Sequence, residues 1–310
     1  MKIYGKYLIL AAATSALALT SCQSDNDVAG IDEGRAKVIV NADLEGMSRV
    51  TTEGTGNAWT SGDQFTVKNL GPDAVDRRSV ATYLHDGNKF DLTGSDYMLW
   101  SKDSTQINQF QAWYPSDVAT TTFTSFVVNG DQSDQAKLRK CDWMTAEANV
   151  ANTNKNKLNL TFNHKLAKIN INVTSFRDQY NGAEILSNAV YSLPTTLSSI
   201  GETMETGATS VKAYIRDDNN ASSTSIALNA NAKIIAIMPL GSYATGDQIL
   251  SIMVGSDLLK VLLPSALTLE TGKEYTFSIE IGKDTIKVLS VSVGDWTETN
   301  VTTVYRAEES

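Results

Sequence analysis

Leu158-Asn159-Leu160-Thr161-Phe162-Asn163-His164-Lys165-Leu166-Ala167-Lys168-Ile169-Asn170-Ile171-Asn172-Val173 decides the fold class. Leu158, Leu160 and Phe162 alternate with Asn159, Thr161 and Asn163, and Ala167, Ile169, Ile171 and Val173 alternate with Lys168, Asn170 and Asn172. Successive strand side chains face opposite sides of a sheet, so a period of two reads as a strand with one buried and one solvated face. The inward parity changes from even to odd near His164–Leu166. A one-residue slip reverses every face, so that change predicts a bulge or bend there.

The same period recurs on both sides of this stretch. Val38, Val40, Ala42 and Leu44 share one parity, with Lys37, Asn41 and Asp43 on the other. Tyr275, Phe277, Ile279 and Ile281 alternate with Thr276, Ser278 and Glu280, and Gly282-Lys283-Asp284 leads into Ile286–Val293 as a hairpin partner. No long stretch shows the 3.6-residue apolar period of an amphipathic helix. Threonine and serine are abundant and proline is rare, which suits strands with solvated outer faces. The fold class is all-β, built as antiparallel sandwiches. The polar run Ala151–Lys157 separates two halves of similar size, so the expected domains are 36–152 and 157–310. The run Arg216–Ser222 reads as a long hairpin loop within the second half.

Residues 1–21 read as a secretory signal. Lys2 and Lys6 precede an apolar run from Tyr7 to Ala18, which is too short to span a bilayer. Leu19-Thr20-Ser21-Cys22 resembles the lipobox of bacterial lipoproteins, in which the cysteine is acylated and becomes the first residue. Residues 22–35 are polar and acidic and read as a tether. Acidic residues just behind a lipidated cysteine also resemble the signal that sends Bacteroidetes-type lipoproteins to the outer cell surface. A calcium loop at Asp25/Asp27 fails, because Ala29 and Ala36 occupy ligand positions.

Apolar residues make up 42% of the chain and charged residues 20%, as in folded proteins. The formal net charge is −9, and loss of Lys2 and Lys6 with the signal would take it to −11. That balance argues against nucleic acid as a partner. There are two cysteines. With Cys22 given to lipid, Cys141 has no intramolecular partner and reads as a buried small residue.

Catalytic material is scarce. His85 and His164 are the only histidines, and no Gly-x-Ser-x-Gly elbow, phosphate-binding loop or His-Glu-x-x-His occurs. Gly54-Thr55-Gly56 lacks the third glycine of a dinucleotide loop. His164 falls on the inward parity of its strand and reads as a core histidine with a hydrogen-bonded ring. Asp217 and Asp218 lie in the polar loop and read as solvated charge. The expectation is a non-enzymatic protein with no cofactor and no metal. A glycosidase with two carboxylates distant in sequence is the remaining catalytic reading. Trp59, Trp100, Trp113, Trp143 and Trp296 are either core and strand-edge aromatics or a sugar-stacking platform, and no two share a face at close spacing.

Six segments in order resemble the Bacteroidetes fimbrillin family. Trp59-Thr60-Ser61-Gly62-Asp63 before Phe65-Thr66-Val67 is similar to its Trp-x-x-Gly-Asp opening. Phe110-Gln111-Ala112-Trp113-Tyr114-Pro115 resembles its Phe-x-Ala-x-Tyr-Pro strand. Asp131-Gln132-Ser133 with Asp142-Trp143-Met144-Thr145-Ala146 resembles the close of its first domain. Phe162-Asn163-His164-Lys165-Leu166-Ala167-Lys168 is similar to the strand opening its second domain. Leu269-Glu270-Thr271-Gly272-Lys273-Glu274-Tyr275 and Val293-Gly294-Asp295-Trp296 resemble its end.

The resemblance implies a type V pilus subunit built from two transthyretin-like sandwiches and made as a palmitoylated lipoprotein of the outer membrane and fimbrium. It also implies an Arg- or Lys-specific maturation protease that removes the first strand, and other pilus subunits as partners that donate a strand in its place. In this sequence the removable strand is 36–45, carrying Val38, Val40, Ala42 and Leu44. Arg49, followed by Val-Thr-Thr-Glu-Gly-Thr-Gly, is the expected cleavage site. Arg35 is the runner-up, and it precedes the strand. Val301, Thr303 and Tyr305 alternate with Thr302 and Val304 as a terminal or donated strand. Asp103-Ser104-Thr105 and Asp284-Thr285-Ile286 resemble the O-glycosylation sites of these bacteria, at Ser104 and Thr285. The alternative function is a surface glycan-binding lipoprotein that keeps its lipid.

Overall fold

The computed structural model describes residues 35–45, 59–71, 79–95, 97–153, 156–177, 180, 183–217, 224–296 and 301–306. The signal, most of the tether with Cys22, and Arg49 lie outside the described residues. The N-terminal half runs β1 (Ile39–Leu44), β2 (Gln64–Asn69), β3 (Val80–His85), β4 (Phe90–Leu92), β5 (Asn108–Tyr114), β6 (Phe126–Val128), α1 (Gln135–Lys140), β7 (Met144–Val150) and β8 (Lys157–His164). The rest is β9 (Ala167–Phe176), β10 (Ile185–Ser192), β11 (Thr196–Leu197), β12 (Glu202–Met204), β13 (Ser210–Lys212), β14 (Tyr214–Arg216), β15 (Ser225–Ala227), β16 (Lys233–Met238), β17 (Gly241–Tyr243), β18 (Gln248–Val254), β19 (Asp257–Leu262), β20 (Leu267–Leu269), β21 (Lys273–Ile281), β22 (Ile286–Asp295) and β23 (Val301–Arg306).

The first core lies against a seven-stranded sheet in the order β1-β8-β7-β5-β2-β3-β4. Its filling is strongly aromatic: Phe65, Tyr83, Trp100, Phe110, Tyr114 and Phe162 pack with Val40, Leu44, Leu158 and Leu160. The second core lies between a six-stranded sheet, β14-β16-β9-β21-β22-β23, and a five-stranded one, β13-β10-β18-β19 with β15 on β10. Its filling is mostly aliphatic, with Ile169, Ile171, Leu186, Ile234, Ile252 and Ile279. The hairpin expected at 273–293 forms as β21 and β22. The antiparallel pairs are joined by three parallel ones, β1–β8, β9–β21 and β6–β12. A parallel neighbour needs a long crossover, and between β1 and β8 the whole first sandwich supplies it.

The run 151–157, expected as a boundary, lies between β7 and β8. Strand β8 is bonded to β7 and β1 in the first sheet, and β9 to β16 and β21 in the six-stranded one. The Asn-rich run is a connection inside one sheet. Asn156 takes a left-handed φ of 65°, and its amide donates to Asn152 Oδ1. Asparagine tolerates that conformation and bonds its local backbone, and turns share this chemistry with linkers. The parity change at 164–166 is therefore the passage from one sheet to another: Phe162 and His164 are buried in β8, and Ala167 and Ile169 in β9.

A third cluster of Phe126, Val128, Cys141, Trp143, Leu166, Ile237 and Trp296 fills the junction between the sandwiches. Gln132 locks it. Strand β14 covers β16 only from Lys233 to Ile235, and the next edge position is met by a side chain. Gln132 Nε2 donates to the Ile237 carbonyl and the Ile237 amide donates to Gln132 Oε1, both at 2.8 Å. One amide side chain thus replaces a strand residue, and both backbone groups are satisfied.

Candidate functional site: the first strand and its groove

Strand β1 sits at the edge of the first sheet. Its pairing with β8 runs from Ile39 opposite Lys157 to Leu44 opposite Phe162. Main-chain bonds tie both ends: Ile39 N donates to Asn156 O at 2.8 Å and Glu45 N to Phe162 O at 2.9 Å. Just before the strand, Val38 N reaches Met98 O and Trp100 N reaches Ala36 O, so residues 36–38 are bridged on a second side. Val38, Val40 and Leu44 are buried, Ala42 is half-buried against the same core, and Ile39 is 50% exposed. Trp59 closes over the strand. Its Nε1 donates to the Ala42 carbonyl at 3.1 Å, and its ring packs edge-on against Phe90, Tyr114 and Phe162.

Beyond Leu44 the groove opens into a pocket shared by both sandwiches. Its lining includes Leu44, Trp59, Tyr114 and Met144 from the first, and Ile237 and Trp296 from the second. The charges around it are paired. Asp63 accepts from the Thr60 amide at 2.7 Å and from the Tyr114 hydroxyl at 2.9 Å, and it forms an ion pair with Arg139. Burial, and then the Asp63 carboxylate, holds the Tyr114 phenol well above its ordinary range. Lys168 pairs with Glu274, and its ammonium lies 5.5 Å from the Trp296 ring centre. His164 bonds Asp142 through Nδ1 at 2.7 Å and stacks on Trp296 with centroids 4.0 Å apart. This is the hydrogen-bonded core histidine its parity predicts, and it sits at the sandwich crossing.

The Trp-x-x-Gly-Asp segment has a physical reading here. Gly62 adopts a φ of +95°, where a side chain would be strained, and this lets Asp63 fold back onto Thr60. The sequence alone does not single out Arg139, Gln132 or the shared pocket. Their partners lie 76 and 105 residues away, and no local period encodes that distance.

The other expected site residues fall separately. Arg35 is buried, with Nε donating to the Trp100 carbonyl at 2.9 Å. Ser104 and Thr285 are both exposed, on turns in different sandwiches. Cys141 is buried, and desolvation pushes its thiol up to about 12. Trp100, Trp143 and Trp296 are buried, Trp59 is packed among aromatics and Trp113 is half-buried on β5, so the five tryptophans make no common exposed platform. The segment 301–306 forms β23, paired with β22 at the edge of the six-stranded sheet. Among the described residues no three His, Cys, Asp or Glu side chains gather as a metal site.

Two β cores joined through a packed junction, with a core-filling strand at one sheet edge, define a β-sandwich protein of structural type. The chain belongs to the fimbrillin-like family, whose profile matches residues 48–296. That family is one of fimbrial proteins and not of enzymes. The chain is similar to the crystal structure of a protein from Bacteroides uniformis described as a cell adhesion protein. The TM-score is 0.60 at 19% identity, over 86% of this chain and 99% of that one. A Bacteroides ovatus structure with the same description matches at a TM-score of 0.60 and 17% identity, over the same shares. At these identities the likeness is one of fold. No curated protein matches the chain by sequence.

Proposed function

We propose that this protein is a structural and adhesive subunit of a type V fimbria, exported as a lipoprotein through Cys22 and polymerised by donor-strand exchange. In this reading cleavage after Arg49 releases the lipid together with β1, and a strand from another subunit takes its place. The domains are one sandwich up to Lys165 and a second from Leu166 onward.

The observation that carries the reading is the position of β1. As an edge strand it can leave without dividing the sheet, yet it fills the first core with Val38, Val40 and Leu44. Those three side chains represent about 5–9 kcal/mol of gross burial, at about 1.5–3 kcal/mol each. Their loss leaves an apolar groove beside the unpaired edge of β8. A replacement strand satisfies both needs at once, through main-chain bonds and alternate side-chain pockets. Before processing, the lipid holds the subunit on the outer membrane, and an Arg-specific protease is its maturation partner. Ser104 and Thr285, both exposed, are the proposed O-glycosylation sites.

Mass spectrometry of surface protein tests this. The expected result is a mature N-terminus at Val50, with multimers that resist SDS. Arg49→Ala should keep the lipidated N-terminus at Cys22 and abolish the multimers. A Cys22 N-terminus on every wild-type molecule overturns polymerisation by this route.

A further inference from the structure

Leu44 occupies a different kind of site from the other inward residues of β1. Val38 and Val40 pack within the first core. Leu44, the last inward residue and 4% exposed, also forms a wall of the pocket to which the second sandwich contributes Ile237 and Trp296. Trp59, Tyr114 and Met144 line it too. Of the charged side chains that line it, Arg139 pairs with Asp63, Lys168 pairs with Glu274 outside the lining, and Asp142 is hydrogen-bonded to His164, so a charged newcomer competes with partners already made. An apolar group fits without breaking those pairs.

The geometry points to the seat of Leu44 as the specificity-determining pocket for the incoming strand. Its occupant is a strand of a second subunit, lying parallel to β8 and presenting an apolar side chain of leucine size at its last inward position. The inference rests on the strand-exchange reading and adds what the donor must carry. It also makes groove occupancy a property of both sandwiches. Loss of the Leu44 wall enlarges the pocket that Ile237 and Trp296 also line, and a larger cavity costs its lining contacts. The pocket therefore reads whether the groove is filled to its end.

Two measurements test it. In the full chain, Leu44→Ala should raise acrylamide quenching of tryptophan fluorescence, because Trp59 and Trp296 line the seat. Val38→Ala, at the other end of the strand, should leave quenching near the reference value when all variants carry Trp100→Phe, since Trp100 packs in the same core beside residues 36–38. Leu44→Met, which conserves volume, should behave as wild type. If Leu44→Ala does not fold, Leu44→Val takes its place in the comparison. Equal quenching in the position-44 and position-38 variants overturns the seat and leaves strand exchange standing. In protein cleaved after Arg49, a peptide of residues 36–45 should bind, and its Leu44→Ala version should bind at least about tenfold more weakly. Equal binding of the two peptides also overturns the seat. Binding of neither peptide counts against strand exchange, and with it against any donor seat.

Discussion

The two terminal strands of the described chain, β1 and β23, both lie at sheet edges but are held differently. Strand β1 is inserted: three of its side chains fill the first core, Trp59 closes over its backbone, and residues 36–38 bridge to 98–100. Strand β23 is appended. It pairs with β22 alone, with a register shift at Val291/Ser292, and Tyr305 is only half-buried against the second core. The same edge position therefore carries opposite consequences. Losing β1 removes part of a core, whereas losing β23 removes its main-chain bonds to β22 and the partial burial of Tyr305. A strand meant to be exchanged has to be of the first kind, since only a filled groove stabilises its replacement.

The strongest attempt to break this contrast is Val40→Asp set beside Ile39→Asp. The first buries an unpaired carboxylate and should cost more than about 3 kcal/mol. The second places the charge on an exposed face and should cost less than about 0.5 kcal/mol. Urea unfolding midpoints decide it, and equal losses would mean that β1 is not inserted.

Gln132→Ala sharpens the comparison at the opposite edge of the six-stranded sheet, where a side chain does the work of a strand. It strips the partners from Ile237 N and O and should cost about 1–3 kcal/mol in the same assay. Deleting residues 301–310 removes the main-chain bonds of β23 and the partial burial of Tyr305, and should cost less than Val40→Asp. A loss matching that of Val40→Asp would place β23 in the inserted class.

Cys141 reports on the junction without perturbing it. A thiol pushed up to about 12 by burial stays protonated at pH 8, so in native protein Cys141, read by peptide mass apart from Cys22, should resist labelling. Labelling should rise in Val40→Asp and stay at the wild-type level after deletion of 301–310. The smallest effect is expected from Asp131→Asn, in the turn that presents Gln132. The Lys137 ammonium, and then the Ser133 hydroxyl, hold Asp131 at about 2. A depressed carboxyl stabilises the fold above the ordinary range near ~4 and loses that contribution as pH falls toward 2. The pair is half-exposed and screened, so the acid-unfolding midpoint should rise only slightly.

Period-two alternation makes the strands legible because each face is either wet or dry along its length. Residues 158–173 show this well, since even the change of sheet leaves its mark as a parity switch. The run 151–157 carries no such mark, because Asn and Lys solvate a connection within a sheet as readily as a linker. The bond from Arg35 to the Trp100 carbonyl is equally invisible in the sequence, because the two residues lie 65 positions apart. The five tryptophans could be separated from a platform only once their neighbours were placed.

By itself the sequence determined the all-β class, the inward parity of 38–44, the hydrogen-bonded core histidine and the family resemblance. All of these rest on local period or on short motifs. Tertiary structure alone decided that β8 belongs to the first sheet, that Gln132 completes the edge of β16, and that Leu44 reaches a pocket walled by the second sandwich. Each depends on partners far apart along the chain, and a hydrogen bond or a van der Waals contact carries no memory of sequence distance.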